Sequence, residues 1–150
     1  GYDRIGIAVF EGKTLIHSEC FTPQKDSFPN ILVEIYTHLT KLIMKHRPET
    51  FAIETLFFTK NQKTAMKVAE ARGVIQLAAA NEGLAMTEYS PQAVKIAVTG
   101  SGNATKDAVI RMVERLIVLP KQKRHDDEYD AIALGIAHTA TVRVLGNPHR

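Results

Sequence analysis

The chain has little of several features that would restrict its function at once. It has one cysteine, Cys20, which excludes an internal disulfide framework and fits a reducing, cytoplasmic setting. No apolar run approaches the ~20 residues of a membrane-spanning helix, so a soluble protein is expected. No internal repeat or strong excess of one charge is present, and the formal net charge is only +3. A chain of 150 residues, 45% hydrophobic, predicts a single domain spanning residues 1–150.

Hydrophobic periodicity predicts alternating strands and helices. Residues 4–11 and 14–21 are strand-like runs joined by Gly12-Lys13, which is typical of a hairpin. The continuous apolar run 51–57 predicts a parallel strand covered on both faces. Capping residues and helical spacing predict the remaining elements, a strand at 84–89 and helices at 27–46, 64–80, 90–98, 105–117 and 126–144. The order β-β-α-β-α-β-α-α-α is typical of a three-layer α/β domain with a mixed sheet.

Acidic residues stand at two distant places where chemistry is possible. Glu54 lies in the apolar run TFAIETLFF, where an acid is costly unless a cation or hydrogen-bond donors compensate. Asp127 and Asp130 lie three residues apart at a helix start, and therefore share one face. Three carboxylates that converge would form the oxygen-only site that Mg²⁺ prefers. Solvent or an arginine would equally satisfy Glu54, and helix capping would explain one aspartate. Asp126 is expected to be that cap and Glu128 a solvated acid.

Three longer segments carry a family resemblance. These are FAIETLFFTKNQKTAMKVAEARGV (51–74), AVKIAVTGSGNATKDAV (93–109) and DEYDAIALGIAH (127–138). Together they strongly resemble the RuvC family of Holliday junction resolvases, in the same order along nearly the whole chain. The resemblance implies an RNase H-like fold with a mixed five-stranded sheet. It also implies a homodimer that cuts four-way DNA junctions by paired symmetric nicks. Two Mg²⁺ ions per active site, with Mn²⁺ as a possible substitute, and the RuvA–RuvB branch-migration complex as partner are implied as well.

The resemblance also implies roles for individual acids. Glu54 is implied to be the strand carboxylate of the active site, and Asp127 and Asp130 the helix carboxylates, all three as catalytic residues and metal ligands. The family has one more acid, in a G-[IV]-D-P-G motif after its first strand. Either Asp3 is that acid, or it lies upstream of Gly1. The second register aligns without a gap and is preferred, so the first, central strand is expected to lie upstream of Gly1 too.

Basic and aromatic residues are candidates for DNA contacts. Lys95 and Lys106 match lysines near the family's active site, and Lys106 opens a helix whose N–H groups also favour a phosphate. Phe57 is a candidate for stacking on unpaired bases, with core packing as the alternative. Further lysines that could extend the phosphate track, or simply be solvated, are Lys60, Lys63 and Lys67. Arg72 is in the same position, whereas the linker with Lys121, Lys123 and Arg124 is equally well explained as a solvated loop.

Several assignments remain open at this stage. His125 could assist the acids or belong to a plain linker, and His138 is expected to be structural. The small-residue face of the second helix, with Ala65, Ala69, Ala71 and Gly73, is the candidate dimer interface. A non-catalytic junction-binding module is the alternative function if the chain begins at Gly1. Another RNase H-like nuclease, acting on a different branched or hybrid substrate, is the second alternative.

Overall fold

The computed structural model describes residues 2–24, 26–57 and 61–146, the last four of these by their backbone alone. The elements follow one another as β1 (Ile5–Glu11), β2 (Thr14–Phe21), α1 (Phe28–His46), β3 (Thr50–Glu54), α2 (Gln62–Asn81), β4 (Ala85–Tyr89), α3 (Pro91–Thr99), α4 (Lys106–Leu116) and α5 (Asp126–Gly146). The predicted order is confirmed. The largest boundary difference is in β3, which ends at Glu54 and not at Phe57.

Strand pairing divides the described residues into two sheets. β1 and β2 form an antiparallel hairpin whose turn contains Gly12 at a φ of 59°. β3 and β4 pair in parallel, as predicted. Within residues 2–24, 26–57 and 61–146 no strand joins β1 to β3, so four of the five predicted strands are present. Residues 50–53 of β3 are partly buried, and Glu54 at the end of the strand is exposed.

The core has two parts, one on each side of the sheets. Side chains alternate along β1, so that Ile5 and Ile7 pack towards α1 and α2, whereas Ala8 and Phe10 pack towards α5. The first cluster is centred on Ile35, Leu39, Ala71 and Ala78, and the second on Val113, Ile132, Ala133 and Ala137. Helices thus cover both sides of the strands, which is the predicted three-layer α/β arrangement.

Helix α5 lies directly against β1. A Cβ atom added at Gly6 would overlap the carbonyl group of Asp127, and one added at Gly135 would overlap the ring of Phe10. Small residues at both positions therefore let the first turn of α5 approach the strand. The His125 carbonyl accepts the N–H groups of Glu128 and Tyr129, so His125 is the residue that precedes the helix. Asp126 is the first residue inside the helix. The prediction that Asp126 is the cap is wrong.

The other helix starts match their sequence signals with one difference. Ser90 Oγ accepts the Ala93 N–H at 3.0 Å, as expected of a capping serine. Ser27 precedes α1 as predicted, but its side chain makes no capping hydrogen bond. No helix in the described part of the chain has the length and apolar character needed to cross a membrane.

Candidate active site

A pocket of about 200 Å³ opens where β3 ends. Four elements contribute to it, namely β3, α3, α4 and α5. Its lining residues are Glu54, Pro91, Val94, Lys95, Lys106, Val109, Asp130, Ala133 and Leu134. The strand therefore brings one of the predicted acids to the same place as Asp130 of α5 and the two predicted lysines. Apolar side chains form the rest of the wall, which reduces the water around the charged groups.

Asp130 and Lys106 form the closest charge pair of this pocket. The Lys106 Nζ atom donates to both carboxylate oxygens of Asp130, at 2.7 and 2.8 Å. Both side chains are nearly half-exposed, at 48% and 47%. Thr105 caps α4 by accepting the Ala108 N–H, and this fixes Lys106 in the first turn of the helix. Lys106 is therefore bonded to Asp130, the acid that was predicted from the sequence to be a metal ligand.

Glu54 has a perturbed carboxyl group. Although its side chain has an open side, the pocket walls desolvate the carboxyl, and this burial raises its pKa. The negative charge of Asp130 raises the pKa further, whereas Lys106 and Lys95 act in the opposite direction. Two carboxylates that repel each other in one pocket favour the uptake of a cation, because a cation relieves the repulsion.

Arg72 supports the end of β3. Its Nε atom donates to the Glu54 carbonyl oxygen at 3.3 Å, and its guanidinium forms an ion pair with Glu88 at 3.0 Å. Arg72 thus ties α2 to the carboxyl end of β3 and to β4. Sequence reasoning placed it among possible phosphate contacts, and no local signal indicated the backbone acceptor.

Asp127 lies outside the pocket. Its carboxylate faces Arg4, with 3.2 Å between Arg4 Nε and Asp127 Oδ2. Among the described residues no group of three or more histidine, cysteine or acidic side chains is arranged to hold a metal ion. The predicted convergence of three carboxylates is therefore found for Glu54 and Asp130 only. Asp3 is exposed and is not part of the pocket lining.

The two pocket carboxylates fit a divalent cation in part. Oxygen donors from a β-strand and a facing helix are the ligands that Mg²⁺ takes, and burial and then the charge of Asp130 raise the pKa of Glu54. Asp127 would become a third ligand only by leaving Arg4. Arg4 was not predicted from the sequence, because a single exposed arginine in the segment before a strand carries no pattern.

Glu128 is not the solvated acid that was predicted. The residue is 6% exposed and accepts a hydrogen bond from Ser18 Oγ at 2.6 Å. Arg124 Nε lies 3.4 Å from its carboxylate, and the Arg124 side chain is itself only 4% exposed. Arg124 also donates to the Pro120 carbonyl at 2.7 Å. Of the two interpretations left open for this linker, the solvated loop therefore does not hold for Arg124, which links that segment to α5. The spacing of four residues between Arg124 and Glu128 was the available signal.

The histidines and the cysteine near α5 have separate roles. His138 is buried, with Nε2 2.8 Å from Thr50 Oγ1 and Nδ1 2.8 Å from Tyr89 Oη, so its expected structural role is confirmed. Burial lowers its pKa. His125 is exposed and contributes its backbone carbonyl to the helix start. For Cys20, burial and then the charge of Asp127 raise the thiol pKa, which disfavours the reactive thiolate.

The remaining predicted DNA-binding residues lie at different positions. Lys95 is half-buried in the pocket, and Phe57 is 62% exposed just beyond β3. Lys63 is exposed, whereas the Lys67 ammonium lies 5.5 Å from the ring centres of both Tyr2 and Phe28. Lys60 lies outside the described residues. The contacts of all five with DNA stay predictions.

The small residues of α2 divide between two faces of the helix. Ala65 and Ala71 are buried, and Ala71 packs in the core cluster centred on Ile35 and Leu39. Ala69 and Gly73 are exposed. The single small-residue face that was predicted as an interface is therefore half internal, and only its exposed members remain available to another molecule.

Comparison with known proteins gives a consistent set of similarities. The sequence profile described as "Crossover junction endodeoxyribonuclease RuvC" matches residues 1–138. The crossover junction endodeoxyribonuclease RuvC of Moorella thermoacetica is 42% identical, over 93% of this chain and 84% of the relative. The protein of the same name from Brachyspira hyodysenteriae is 41% identical, over 98% of this chain and 94% of the relative.

Solved structures extend the similarity to the fold. The Thermus thermophilus RuvC structure superposes with a TM-score of 0.81 at 28% identity, over 97% of this chain and 92% of that chain. T. thermophilus RuvC in complex with Holliday junction substrate superposes with a TM-score of 0.85, also at 28% identity. That match covers 96% of this chain and 91% of the other.

Proposed function

Because this chain belongs to the RuvC family of crossover junction endodeoxyribonucleases, we propose that it resolves four-way DNA junctions by hydrolysing phosphodiester bonds at the pocket between β3 and α5. Its RNase H-like α/β fold is that of the junction-bound relative. The observation that carries the proposal is the meeting of Glu54 and Asp130 with Lys95 and Lys106 in one pocket. Carboxylates suit a metal and lysines suit a phosphate, and phosphodiester hydrolysis needs both.

The lysines of the pocket are proposed to bind the phosphate that is cut. Lys106 lies in the first turn of α4, so a phosphate there meets both its ammonium and the positive end of the helix. In exchange for the phosphate, Lys106 gives up its bond to Asp130. Phe57, exposed next to the pocket strand, is proposed to stack on a base beside the crossover.

A divalent cation, Mg²⁺ by family resemblance, is proposed to bind Glu54 and Asp130, with Asp127 completing the acid set and two ions per site. Held by these residues, the metal would supply an activated water and would stabilise the charge of the leaving oxygen. The water oxygen forms the new bond to phosphorus, the bond to the 3′ oxygen breaks, and that oxygen receives a proton. The proposed products are a 5′-phosphate and a 3′-hydroxyl.

A fifth strand between β1 and β3 is proposed to complete the sheet. β1 pairs with β2 on one side and β3 with β4 on one side, so each keeps one edge without a strand partner among the described residues. Unpaired backbone groups at both edges would be satisfied by a strand inserted between them. Its carboxyl end would lie beside Glu54, which supports an additional acid of the active site on that strand.

Paired nicks require two active sites, so a homodimer is proposed. A stripe of apolar and small side chains runs along the exposed face of α2, spaced by three or four residues. Its members are Met66, Ala69, Gly73, Leu77 and Ala80, of which Met66 is 63% and Leu77 52% exposed. A two-fold axis through this stripe would pack two α2 helices together, and Ala69 and Gly73 would let them approach closely.

The test of the function uses a synthetic four-way junction, incubated with the protein in Mg²⁺ and in chelator. We expect paired symmetric nicks in Mg²⁺ only. Glu54→Gln should abolish cleavage while leaving junction binding in chelator within about threefold, because it removes a metal ligand and no phosphate contact. The matched control is Glu82→Gln, an exposed acid that does not line the pocket, which should cut normally.

The outcomes separate the alternative functions. Binding in chelator without cleavage in Mg²⁺ or Mn²⁺ would indicate a non-catalytic junction-binding module. Preferred cutting of an RNA–DNA hybrid or a linear duplex would indicate another nuclease of the RNase H-like fold. Cleavage that survives Glu54→Gln would contradict the assignment of the pocket.

A further inference from the structure

A second groove, of about 400 Å³, lies along α4 and is separate from the active-site pocket. Its lining includes Arg111 and Arg115 of α4 and Ser101 of the loop between α3 and α4. Its floor is formed by the half-buried side chains of Ala108 and Met112. The groove thus combines a cationic rim with an apolar floor.

The two arginines of the rim are available to a ligand. They lie one helical turn apart on an exposed face, and within the part of the chain that the structure describes neither makes an ion pair or hydrogen bond. Two acids are near them in sequence. Glu114 accepts a hydrogen bond from Tyr129 Oη at 3.1 Å, and Asp107 forms no ion pair with Arg111. None of the acids in the described region forms an ion pair with either arginine.

The loop that contains Ser101 is held in a defined conformation. Thr99 Oγ1 donates to the Lys95 carbonyl at 2.7 Å and accepts the Ser101 N–H at 3.1 Å. Gly100, at a φ of 83°, ends α3 in the left-handed region that favours glycine. Ser101 Oγ accepts the Asn103 N–H at 3.3 Å, which leaves its hydroxyl proton free to donate. The loop side of the rim is therefore preorganised.

We propose that this groove binds the sugar–phosphate backbone of a duplex arm of the junction, an inference that rests on the proposed function. A backbone phosphate would lie between Arg111 and Arg115 and accept the Ser101 hydroxyl, and the adjoining deoxyribose would cover Ala108 and Met112. Guanidinium groups bind phosphate through paired hydrogen bonds, and apolar side chains suit the carbon face of the sugar.

The position of the groove on α4 indicates which DNA segment it receives. Arg111 follows Lys106 by five residues, which places it roughly 7.5 Å along the helix axis and about 140° around the helix. The strand held at Lys106 for cleavage therefore does not fill the groove. A second stretch of backbone does, and a four-way junction offers several arms that could supply it.

The test compares the wild type with Arg111→Ala/Arg115→Ala, measuring junction affinity in chelator at several salt concentrations. Two lost phosphate contacts should weaken binding at least tenfold at low salt and reduce the slope of log K against log salt by about 1.8. Arg111→Lys/Arg115→Lys should retain most of that slope. The matched control is Lys41→Ala/Lys45→Ala, two exposed cations at the same spacing on α1, which should bind like the wild type.

A series of junctions with shortened arms tests the arm assignment. The effect of Arg111→Ala/Arg115→Ala should be full on long arms and disappear once the arms are too short to reach the groove. An unchanged affinity and salt slope on long arms would overturn the inference, as would a loss that is independent of arm length. Wild-type protein that fails to bind any junction would instead overturn the proposed function.

Discussion

At the scale of single residues, a phosphate that binds Lys106 or a metal ion that binds Asp130 must first break the ion pair between these two side chains. The bond is short and reaches both carboxylate oxygens, but both side chains are nearly half-exposed to water. Exposed pairs of this kind contribute only about 0.2–1 kcal/mol, because water screens them and long side chains lose entropy. A phosphate or a metal ion can therefore displace one partner at small cost. The pair is suited to a site whose charges must rearrange.

Lys106→Ala should strengthen metal binding in the pocket and weaken DNA binding there. Without the ammonium, Asp130 is free, so Mn²⁺ should bind the DNA-free protein about 1.4- to 5-fold more tightly, which corresponds to the loss of an exposed ion pair. Junction binding should weaken, because a phosphate contact is lost. Electron paramagnetic resonance of free Mn²⁺ measures the first effect and a gel-shift titration in chelator measures the second. Lys106→Arg keeps the positive charge and should leave Mn²⁺ binding unchanged. Weaker Mn²⁺ binding in Lys106→Ala would contradict the proposal that a metal ion competes with Lys106 for Asp130.

Burial determines which residue roles could be predicted. Glu54, Asp130, Lys95 and Lys106 were assigned to one site from spacing and resemblance, and they do line one pocket. Glu128 was assigned to solvent because it lies on another face of α5 than the other two acids. That face meets β2, where Ser18 supplies a hydrogen bond. A contact between residues 110 positions apart leaves no trace in local periodicity, and the partner of Asp127 was missed for the same reason.

His138→Gln tests how burial of a titratable group affects stability. Because burial lowers the folded-state pKa of His138 below its unfolded value of about 6.5, the fold favours the neutral ring. Its stabilising contribution is therefore complete above pH 6.5 and is lost as the pH falls through the folded-state pKa. At pH 7.5 the variant should unfold with a free energy lower by roughly 1–3 kcal/mol, since Thr50 and Tyr89 lose their partner.

The same experiment has a distinct pH signature. In urea titrations from pH 7.5 to 5, the difference between wild type and His138→Gln should shrink steadily below pH 6.5. His125→Gln, at an exposed histidine, should follow the wild type throughout. A difference that stays constant with pH would show that His138 contributes packing and hydrogen bonds without a shifted titration.

At the scale of elements, α5 is the helix on which the site depends. It supplies Asp127, Asp130 and the buried Glu128 from its first two turns, and His138 further along fixes it to β3 and β4. Two glycines let this helix lie against β1, Gly6 on the strand and Gly135 on the helix itself. Helix and strand positions were predictable from periodicity and capping. The close approach was not, because a glycine within an apolar run has the same local signal whether it is packed or free.

Gly135→Ala should move α5 away from β1. The new methyl group would overlap the Phe10 ring, and overpacking of this kind costs about 1–3 kcal/mol of unfolding free energy. The displacement should also reduce junction cleavage, because Asp130 lies on the same helix. Phe10→Leu in the Gly135→Ala background should recover part of the loss, giving a coupling energy above about 0.5 kcal/mol in urea unfolding. Strict additivity of the two substitutions would show that the ring and the helix do not compete for the same space.

At the scale of the whole molecule, the described surface has charged and apolar regions with different assignments. The active-site pocket and the groove along α4 both carry cations, from α3 and α4. The stripe on α2, in contrast, combines large exposed apolar residues with small ones. Cations on one pair of helices and an apolar stripe on another support DNA binding and self-association on separate faces.

Leu77→Glu should convert a dimer into monomers without unfolding them. The side chain is 52% exposed, so a charge is tolerated in the single chain, but two glutamates brought together by a two-fold axis would repel each other in a desolvated interface. Light scattering should give about twice the 16.6 kDa chain mass for the wild type and the chain mass for the variant. Met44→Glu, at a 64% exposed apolar residue of α1, is the matched control and should remain dimeric.

Dimerisation also determines the products of cleavage. Two sites related by a two-fold axis cut both strands during one encounter, so wild-type protein should relax a supercoiled cruciform plasmid mostly to the linear form. Leu77→Glu has one site per particle, so the nicked circle should accumulate before any linear product. Met44→Glu should follow the wild type. A Leu77→Glu protein that is still dimeric, or that still produces linear plasmid without a nicked intermediate, would exclude the α2 stripe as the interface and leave the two-fold axis to be sought on another face.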